Sequence, residues 1–128
     1  MELEGLDVVS YLSGPGSVRD GSLVNLVCRS INNDPVLELT FEVTRSNVKR
    51  TVKLELRDIL EFGYLYTAEN PPTVIEFVKC ITTESGEFYL SLDPYDEREL
   101  FVSEKDGDCF RSKSAKLMIE VAPGVDPS

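Results

Sequence analysis

The chain has 128 residues and a mass of 14.3 kDa, which suits a single domain. It carries 23 acidic and 13 basic residues, for a net charge of −10. That charge argues against a nucleic-acid binder and against docking on anionic lipid, since both need a positive face. The absence of histidine excludes Ser-His and Cys-His nucleophile pairs and the usual zinc sites. We therefore expect no cofactor and no metal.

The first residues, Met1–Glu4, lack the basic start and the apolar run of a secretory signal. We expect a cytoplasmic protein with no membrane span. The three cysteines are an odd number without a CxxC pair, which does not suggest a disulfide framework. Cys28 and Cys80 lie in apolar runs and are predicted to be buried as small hydrophobic residues.

The N-terminal part of the chain predicts one short element and one strand. Residues 1–14 indicate a short helix or an irregular lead-in, because Leu3, Leu6, Val9 and Leu12 recur every third residue. The mostly apolar run Leu23–Ile31 has the length and the β-branched content of a strand.

The clearest pattern in the sequence is a predicted β-hairpin. Apolar and polar residues alternate through Val36–Thr44 and again through Val48–Arg57, with a polar connection between them. Each strand therefore has one buried and one solvated face. On the solvated face we expect a charge ladder, in which Glu38 and Glu42 face three basic side chains: Lys49, Lys53 and Arg57.

The remaining segments favour further short strands. Asp58–Tyr66 is compatible with either a short helix or a strand. Strands are predicted within Thr73–Thr83, Phe88–Leu92 and Phe110–Val121, the last as one strand or two. The fold class is therefore mainly β or α+β, a curved antiparallel sheet or sandwich of six to seven strands with at most one or two short helices. We expect one domain over residues 1–121 and a flexible tail over residues 122–128.

Charge is segregated along the chain. Residues 45–57 hold five basic residues and one acidic residue, whereas residues 84–108 hold nine acidic and two basic residues. A dense acidic segment gains most by facing a basic surface, either within the fold or on a partner. Tyrosine is frequent among interface hot spots, so an exposed Tyr95 is the centre of the predicted contact set. That set is Asp93, Tyr95, Asp96, Glu97, Glu99, Asp106 and Asp108.

Two other uses of these carboxylates stay open. Asp93, Asp96, Glu97 and Glu99, or Glu104, Asp106 and Asp108, offer oxygen ligands to calcium or magnesium, although no EF-hand pattern is present. Paired carboxylates also support general acid–base chemistry, which needs one of them in a dry pocket. We predict neither catalytic nor metal-ligating residues.

The hairpin Leu37–Leu56, the Phe62-Gly63-Tyr64 stretch and the Phe88–Glu97 segment occur here in a small, acidic, β-rich chain. In this layout, over about residues 20–121, the chain resembles the immunity proteins of bacterial polymorphic toxin and contact-dependent inhibition systems. The resemblance implies a protein that binds a cognate toxin and blocks it, and many such toxins are basic nucleases. No residue role carries over from it.

The sequence thus favours a non-enzymatic protein that neutralises a basic protein partner, such as a nuclease toxin, through its acidic segment. Two alternatives remain. One is a structural or assembly subunit that homodimerises through a sheet edge. The other is a small hydrolase that uses carboxylates or a cation. Both a monomer and a homodimer are compatible with the sequence.

Overall fold

The computed structural model describes residues 1–15, 17–64 and 74–122. In these ranges the chain forms seven strands and one helix. In chain order they are β1 (Glu2–Glu4), α1 (Leu6–Ser13), β2 (Ser22–Ile31), β3 (Asp34–Arg45), β4 (Val48–Gly63), β5 (Lys79–Thr82), β6 (Phe88–Asp93) and β7 (Gly107–Val121). The prediction of a mainly β protein with an antiparallel sheet is confirmed.

All seven strands belong to one open sheet in which every pairing is antiparallel. Their order is β2-β3-β4-β7-β6-β5, and β1 also pairs with β7. One side of β7 runs along β4, while β6 and β1 pair with different parts of β7. The long strand β7 therefore joins the N-terminal and C-terminal parts of the fold.

The predicted hairpin is formed by β3 and β4. Leu37 lies opposite Leu56 and Phe41 lies opposite Val52, so the apolar sides of the two strands share one face. Ser46 and Asn47 at the turn both have positive φ, as type I′ hairpin turns require.

Of the two structures proposed for Asp58–Tyr66, the helix is wrong, because β4 continues as a strand to Gly63. Asp58 has positive φ, and the register with β7 shifts between Ile59 and Glu61. Such an irregularity disturbs a hydrophobic repeat of two, which explains why the sequence pattern was ambiguous. Tyr66 lies outside the described residues.

The strand predicted within Thr73–Thr83 is shorter than expected. Only Lys79–Thr82 is a strand, and residues 74–78 have no regular structure. Ile75 instead exchanges backbone hydrogen bonds with Asp20 and Gly21, at 2.7 and 2.8 Å. Thr73 itself lies outside the described residues.

The core lies on one face of the sheet. Val8 and Leu12 of α1 are fully buried and belong to the same hydrophobic core as side chains of the central strands, such as Leu39, Leu54 and Leu117. The spacing of four residues puts Val8 and Leu12 on one side of the helix. Of the structures expected for residues 1–14, the short helix is confirmed over Leu6–Ser13, but Glu2–Glu4 is a strand, and Leu6 of the predicted apolar repeat is 71% exposed.

The burial predicted for the cysteines is half correct. Cys80 is buried, whereas Cys28 is exposed. Cys28 lies opposite Leu37 and so points to the core face, but β2 is the first strand of the sheet. Its position at the edge leaves it uncovered.

The charge ladder on the opposite face is present, with one of its ion pairs as predicted and another with a different partner. Glu42 pairs with Lys49 at 3.4 Å, as predicted. Glu38 lies directly opposite Glu55 and is paired with Arg29 of β2 at 3.0 Å. The two facing carboxylates are thus kept from repelling each other by separate arginines, since Glu55 pairs with Arg57.

Two further expectations concern the chain as a whole. None of the described helical residues forms a helix long and apolar enough to cross a membrane. Of the tail predicted over residues 122–128, Ala122 donates a backbone hydrogen bond to the Lys49 carbonyl at 3.0 Å, and residues 123–128 lie outside the described part of the chain.

Candidate functional site

The predicted contact set falls mainly on the segment that connects β6 to β7, residues 94–106, which we call the β6–β7 loop. The two strands close at the base of this loop, where Asp93 lies opposite Gly107. A Cβ on Gly107 would stand 3.0 Å from Asp93 Oδ2, so glycine suits this close approach. Ser91 Oγ donates a 2.6 Å hydrogen bond to the Gly107 carbonyl and ties the base further.

The carboxylate of Asp106 organises the loop from inside. Its Oδ2 accepts hydrogen bonds from Lys79 Nζ at 2.9 Å, Tyr89 OH at 2.7 Å and the Ser103 amide at 3.2 Å. Its Oδ1 accepts one from the Tyr95 amide at 2.9 Å. Since two of these donors are backbone amides of the loop, one buried side chain sets the path of the chain on both sides of its tip.

Lys79 supplies the positive charge for this network. Lys79 is the first residue of β5, and its side chain reaches Asp106 from there with no exposed surface. It also pairs with Glu99 at 3.2 Å, so one buried cation meets two carboxylates. The rings of Tyr89 and Phe101 lie 5.9 and 5.6 Å from its nitrogen. A buried charge is tolerated only with such close partners.

The environment shifts the pKa values of two members of the network. Burial alone raises the pKa of Asp106, but the hydrogen bonds from Lys79, Tyr95, Tyr89 and Ser103 outweigh it and hold that pKa below its ordinary value. Burial, followed by the contacts with Cys109 and Asp106, raises the pKa of Tyr89. At neutral pH the phenol of Tyr89 therefore stays protonated, and its O–H donates a hydrogen bond to the Asp106 carboxylate.

A second clamp lies at Glu97. Its carboxylate accepts hydrogen bonds from Arg19 at 2.7 Å and from the Val78 amide at 3.2 Å. Arg19 is held in turn, because its carbonyl accepts a hydrogen bond from Arg45. The loop is thereby fastened to the segments before β2 and before β5.

The outer turns of the loop are also ordered by local contacts. Asp96 Oδ1 accepts hydrogen bonds from the backbone amide and the side chain of Arg98, at 3.0 and 3.2 Å. Lys105 Nζ lies 4.6 Å from the centre of the Tyr95 ring, a cation–π distance. The loop therefore has a defined shape at its surface as well as at its base.

This ordered loop presents apolar side chains to solvent. Leu100 is 83% exposed, Tyr95 62% and Phe101 61%, and the neighbouring Val102 is 40% exposed. Single exposed apolar residues are ordinary, but consecutive ones on a well-anchored loop indicate an interaction surface. We call these four residues the apolar tip.

The structure separates the predicted contact set into two groups. Tyr95 is exposed, as predicted, and Asp93 and Asp96 also reach the surface. Asp106 faces inward, and Glu97 and Glu99 are occupied by Arg19 and Lys79. Asp108, at the start of β7, is partly buried, and its charge helps to raise the pKa of Tyr64 after burial of that phenol. Much of the predicted acidic surface is thus neutralised within the fold.

Two features of the loop were not predicted: its cationic partners from other segments, and the exposure of Leu100, Phe101 and Val102. In addition to Arg98 within the loop, Lys79 and Arg19 neutralise it, and neither of them lies in the basic segment 45–57. A lone lysine inside the apolar run 74–83 is a signal that a buried partner exists. Leu100-Phe101-Val102 was visible as an apolar triplet in an otherwise polar segment.

The carboxylates of the loop do not converge as metal ligands. Within residues 1–15, 17–64 and 74–122, no group of three or more acidic or cysteine side chains is placed to hold a metal ion. Asp106 instead has a lysine, a phenol and two amides around it. This arrangement builds a rigid support for the loop.

Comparison of the chain with models of protein families, with curated proteins and with solved structures finds no match.

Proposed function

We propose that the chain is a non-enzymatic binding protein that neutralises a basic protein partner, and that the partner docks on the β6–β7 loop. The observation that carries the proposal is the apolar tip on a loop anchored by the buried Lys79–Asp106 pair. A surface held in its bound shape loses little conformational entropy when it binds, so more of the contact energy appears as affinity.

Charge supports a basic partner. The whole chain has a net charge of −10, and near the apolar tip Asp93 and Glu104 are exposed together with the cations Arg98 and Lys105. A partner with an apolar pocket inside a basic rim would complement both features. The net negative charge of the chain would increase the association rate, and the apolar tip would slow dissociation.

The internal pairing of the titratable groups favours binding over catalysis. Asp106 of the loop and Lys79 of β5, whose side chains are both fully enclosed, bond to one another, and Tyr89 donates a further hydrogen bond to Asp106. A general acid or base must instead reach a substrate proton. The layout resembles that of immunity proteins, and a cognate toxin is accordingly the partner class that we propose.

The proposal is tested by capture with matched variants, followed by reconstitution. The full chain is used to capture proteins from a lysate of the source organism at low and high salt, and the retained basic protein is then purified. Leu100→Ser changes a highly exposed side chain on the loop, and Leu6→Ser changes one that is 71% exposed on α1. We expect the loop variant to bind the purified partner at least tenfold more weakly, with the helix variant unchanged.

Charge and activity provide the second part of the test. Glu104→Lys alters an exposed loop residue and should reduce the association rate, an effect that fades at high salt. The bound partner should lose its activity when the chain is added in equal amount. Binding that Leu100→Ser leaves intact, or a partner that stays fully active when bound, would refute the proposal.

A further inference from the structure

The outer edge of β2 over residues 25–31 is an open pairing surface, beyond the segment before β2 where Arg19 holds Glu97 of the β6–β7 loop. β2 is the first strand in the sheet order, and among the described residues only β3 pairs with it. It has ten residues, whereas β5 at the other end of the order has four. Val24 is 50% exposed and Val27 38%, and Cys28 is exposed as well.

This edge lacks the features that usually prevent strand addition. Exposed edges in natural sheets are commonly protected by lysines, prolines or inward-pointing charges. β2 contains no proline and no lysine, and its one charge, Arg29, is paired with Glu38 of the neighbouring strand. The irregularity between Leu23 and Asn25 leaves an uninterrupted ladder over residues 25–31.

The partner that fits this edge is a second copy of the chain. Two molecules of net charge −10 repel each other, and the repulsion is smallest where the surfaces that meet lack acidic residues. Residues 21–33 contain none, so the β2 edge meets that condition. A strand pairs antiparallel with its own copy about a two-fold axis, the commonest symmetry of homodimers.

The uninterrupted ladder also sets the register of such a pair. Residues 25–31 are centred on Cys28, so full pairing of this stretch places Cys28 opposite its symmetry mate. The same register puts Val27 of each copy opposite Arg29 of the other, which keeps the two arginines from facing each other directly. Leu26 then lies opposite Ser30.

We infer that two copies of the chain pair antiparallel along their β2 edges, with Cys28 at the two-fold axis, to form a continuous sheet. The β6–β7 loop contacts the segment before β2 through Arg19, and the paired stretch 25–31 does not include that segment, so each copy keeps its loop free. The inference is independent of the proposed function, because the two surfaces share no residue.

The test is the mass in solution, measured by sedimentation over a concentration range up to about 100 µM, where a dimer of micromolar Kd is nearly saturated. We expect a mass twice the 14.3 kDa of one chain. Val27→Lys should raise the dimer Kd about tenfold, because two like-charge pairs with Arg29 form across the interface. The same lysine faces Glu38 within its own chain, so the monomer should remain folded.

Val27→Thr is the matched control, since it changes the same side chain without adding a charge to the interface and should retain the dimer. As a second readout, copper phenanthroline in air oxidises facing thiols to a disulfide. Antiparallel neighbours lie about 4.5–5.5 Å apart at Cα, within disulfide reach. We expect a covalent dimer from the wild type and none from Cys28→Ser. A monomer at all concentrations, a dimer Kd that Val27→Lys leaves unchanged, or cross-linking that persists in Cys28→Ser would overturn the inference.

Discussion

Lys79 Nζ lies 2.9 Å from Asp106 Oδ2, and neither side chain has any exposed surface, although the two residues are 27 positions apart in the chain. The pair joins the start of β5 to the end of the β6–β7 loop. Because both charges are enclosed, each depends on the other to remain ionised at a tolerable cost. The shape of the apolar tip is therefore coupled to a contact that no partner can reach.

Removal of the lysine should be strongly destabilising. Lys79→Met leaves Asp106 and the half-buried Glu99 without their cation, and we expect the free energy of unfolding to fall by about 3–5 kcal/mol. Urea denaturation measures this change. Lys105→Met removes an exposed cation over the Tyr95 ring and should cost about 0.5–1 kcal/mol. Equal losses in the two variants would contradict the structural role of Lys79.

The pH dependence of stability should contain a contribution from Asp106. Its pKa in the folded protein lies below the ordinary value of 3.8, so the folded state binds fewer protons than the unfolded state near that pH. The stabilisation is fully present above about pH 4 and is lost as the pH falls towards the folded pKa. Asp106→Asn should be less stable at neutral pH and should show a shallower fall in acid.

This comparison requires urea denaturation at a series of pH values between 7 and 3. Asp96→Asn is the control, because Asp96 also has a lowered pKa, caused first by its hydrogen bond with Arg98. That pair is exposed and screened by solvent, so its removal should change the curve little. Curves of Asp106→Asn and wild type that run parallel would show that Asp106 does not contribute.

The phenol of Tyr89 should contribute to a loss of folding stability at alkaline pH. Its pKa is raised by burial and by its contacts with Cys109 and Asp106, so the folded state retains a proton that the unfolded state loses. Stability from this group is present below pH 10.0 and is lost as the pH rises above it. Tyr89→Phe should weaken that alkaline loss.

At neutral pH the same Tyr89→Phe substitution removes one donor to Asp106 and should cost about 1–3 kcal/mol. Tyr95→Phe changes an exposed phenol and serves as the control in both conditions. Denaturation curves at neutral and alkaline pH measure the two effects. A Tyr89 variant that behaves like the Tyr95 variant would contradict the predicted role of the buried hydroxyl.

Gly21 should not tolerate a side chain. A Cβ at this position would stand 2.6 Å from Val43 Cγ2 and 2.7 Å from the Glu42 carbonyl oxygen. Gly21→Ala must therefore displace backbone, and we expect a loss of about 1–3 kcal/mol. Gly63→Ala is the matched control, since a Cβ there meets no atom within 4 Å. Thermal denaturation that ranks the two variants equally would contradict the close packing at Gly21.

The sequence was most informative where structure depends on neighbours along the chain. The hairpin of β3 and β4 follows from alternation with a period of two and from Ser46-Asn47, which accept positive φ at the turn. The mainly β class follows from several such short segments. The exposure of Tyr95, set between Pro94 and Asp96, was also predictable from its polar surroundings.

The tertiary structure decided the features that depend on distant residues. β4 continues past Asp58 because β7 pairs with it over that length, and Cys28 is exposed because β2 is left at an edge. The sequence by itself determined that the chain is acidic, that it is β-rich and where its charges are concentrated. Only the fold decided which carboxylates remain at the surface, because the pairing of Asp106 with Lys79 depends on strand order and burial, which no local pattern records.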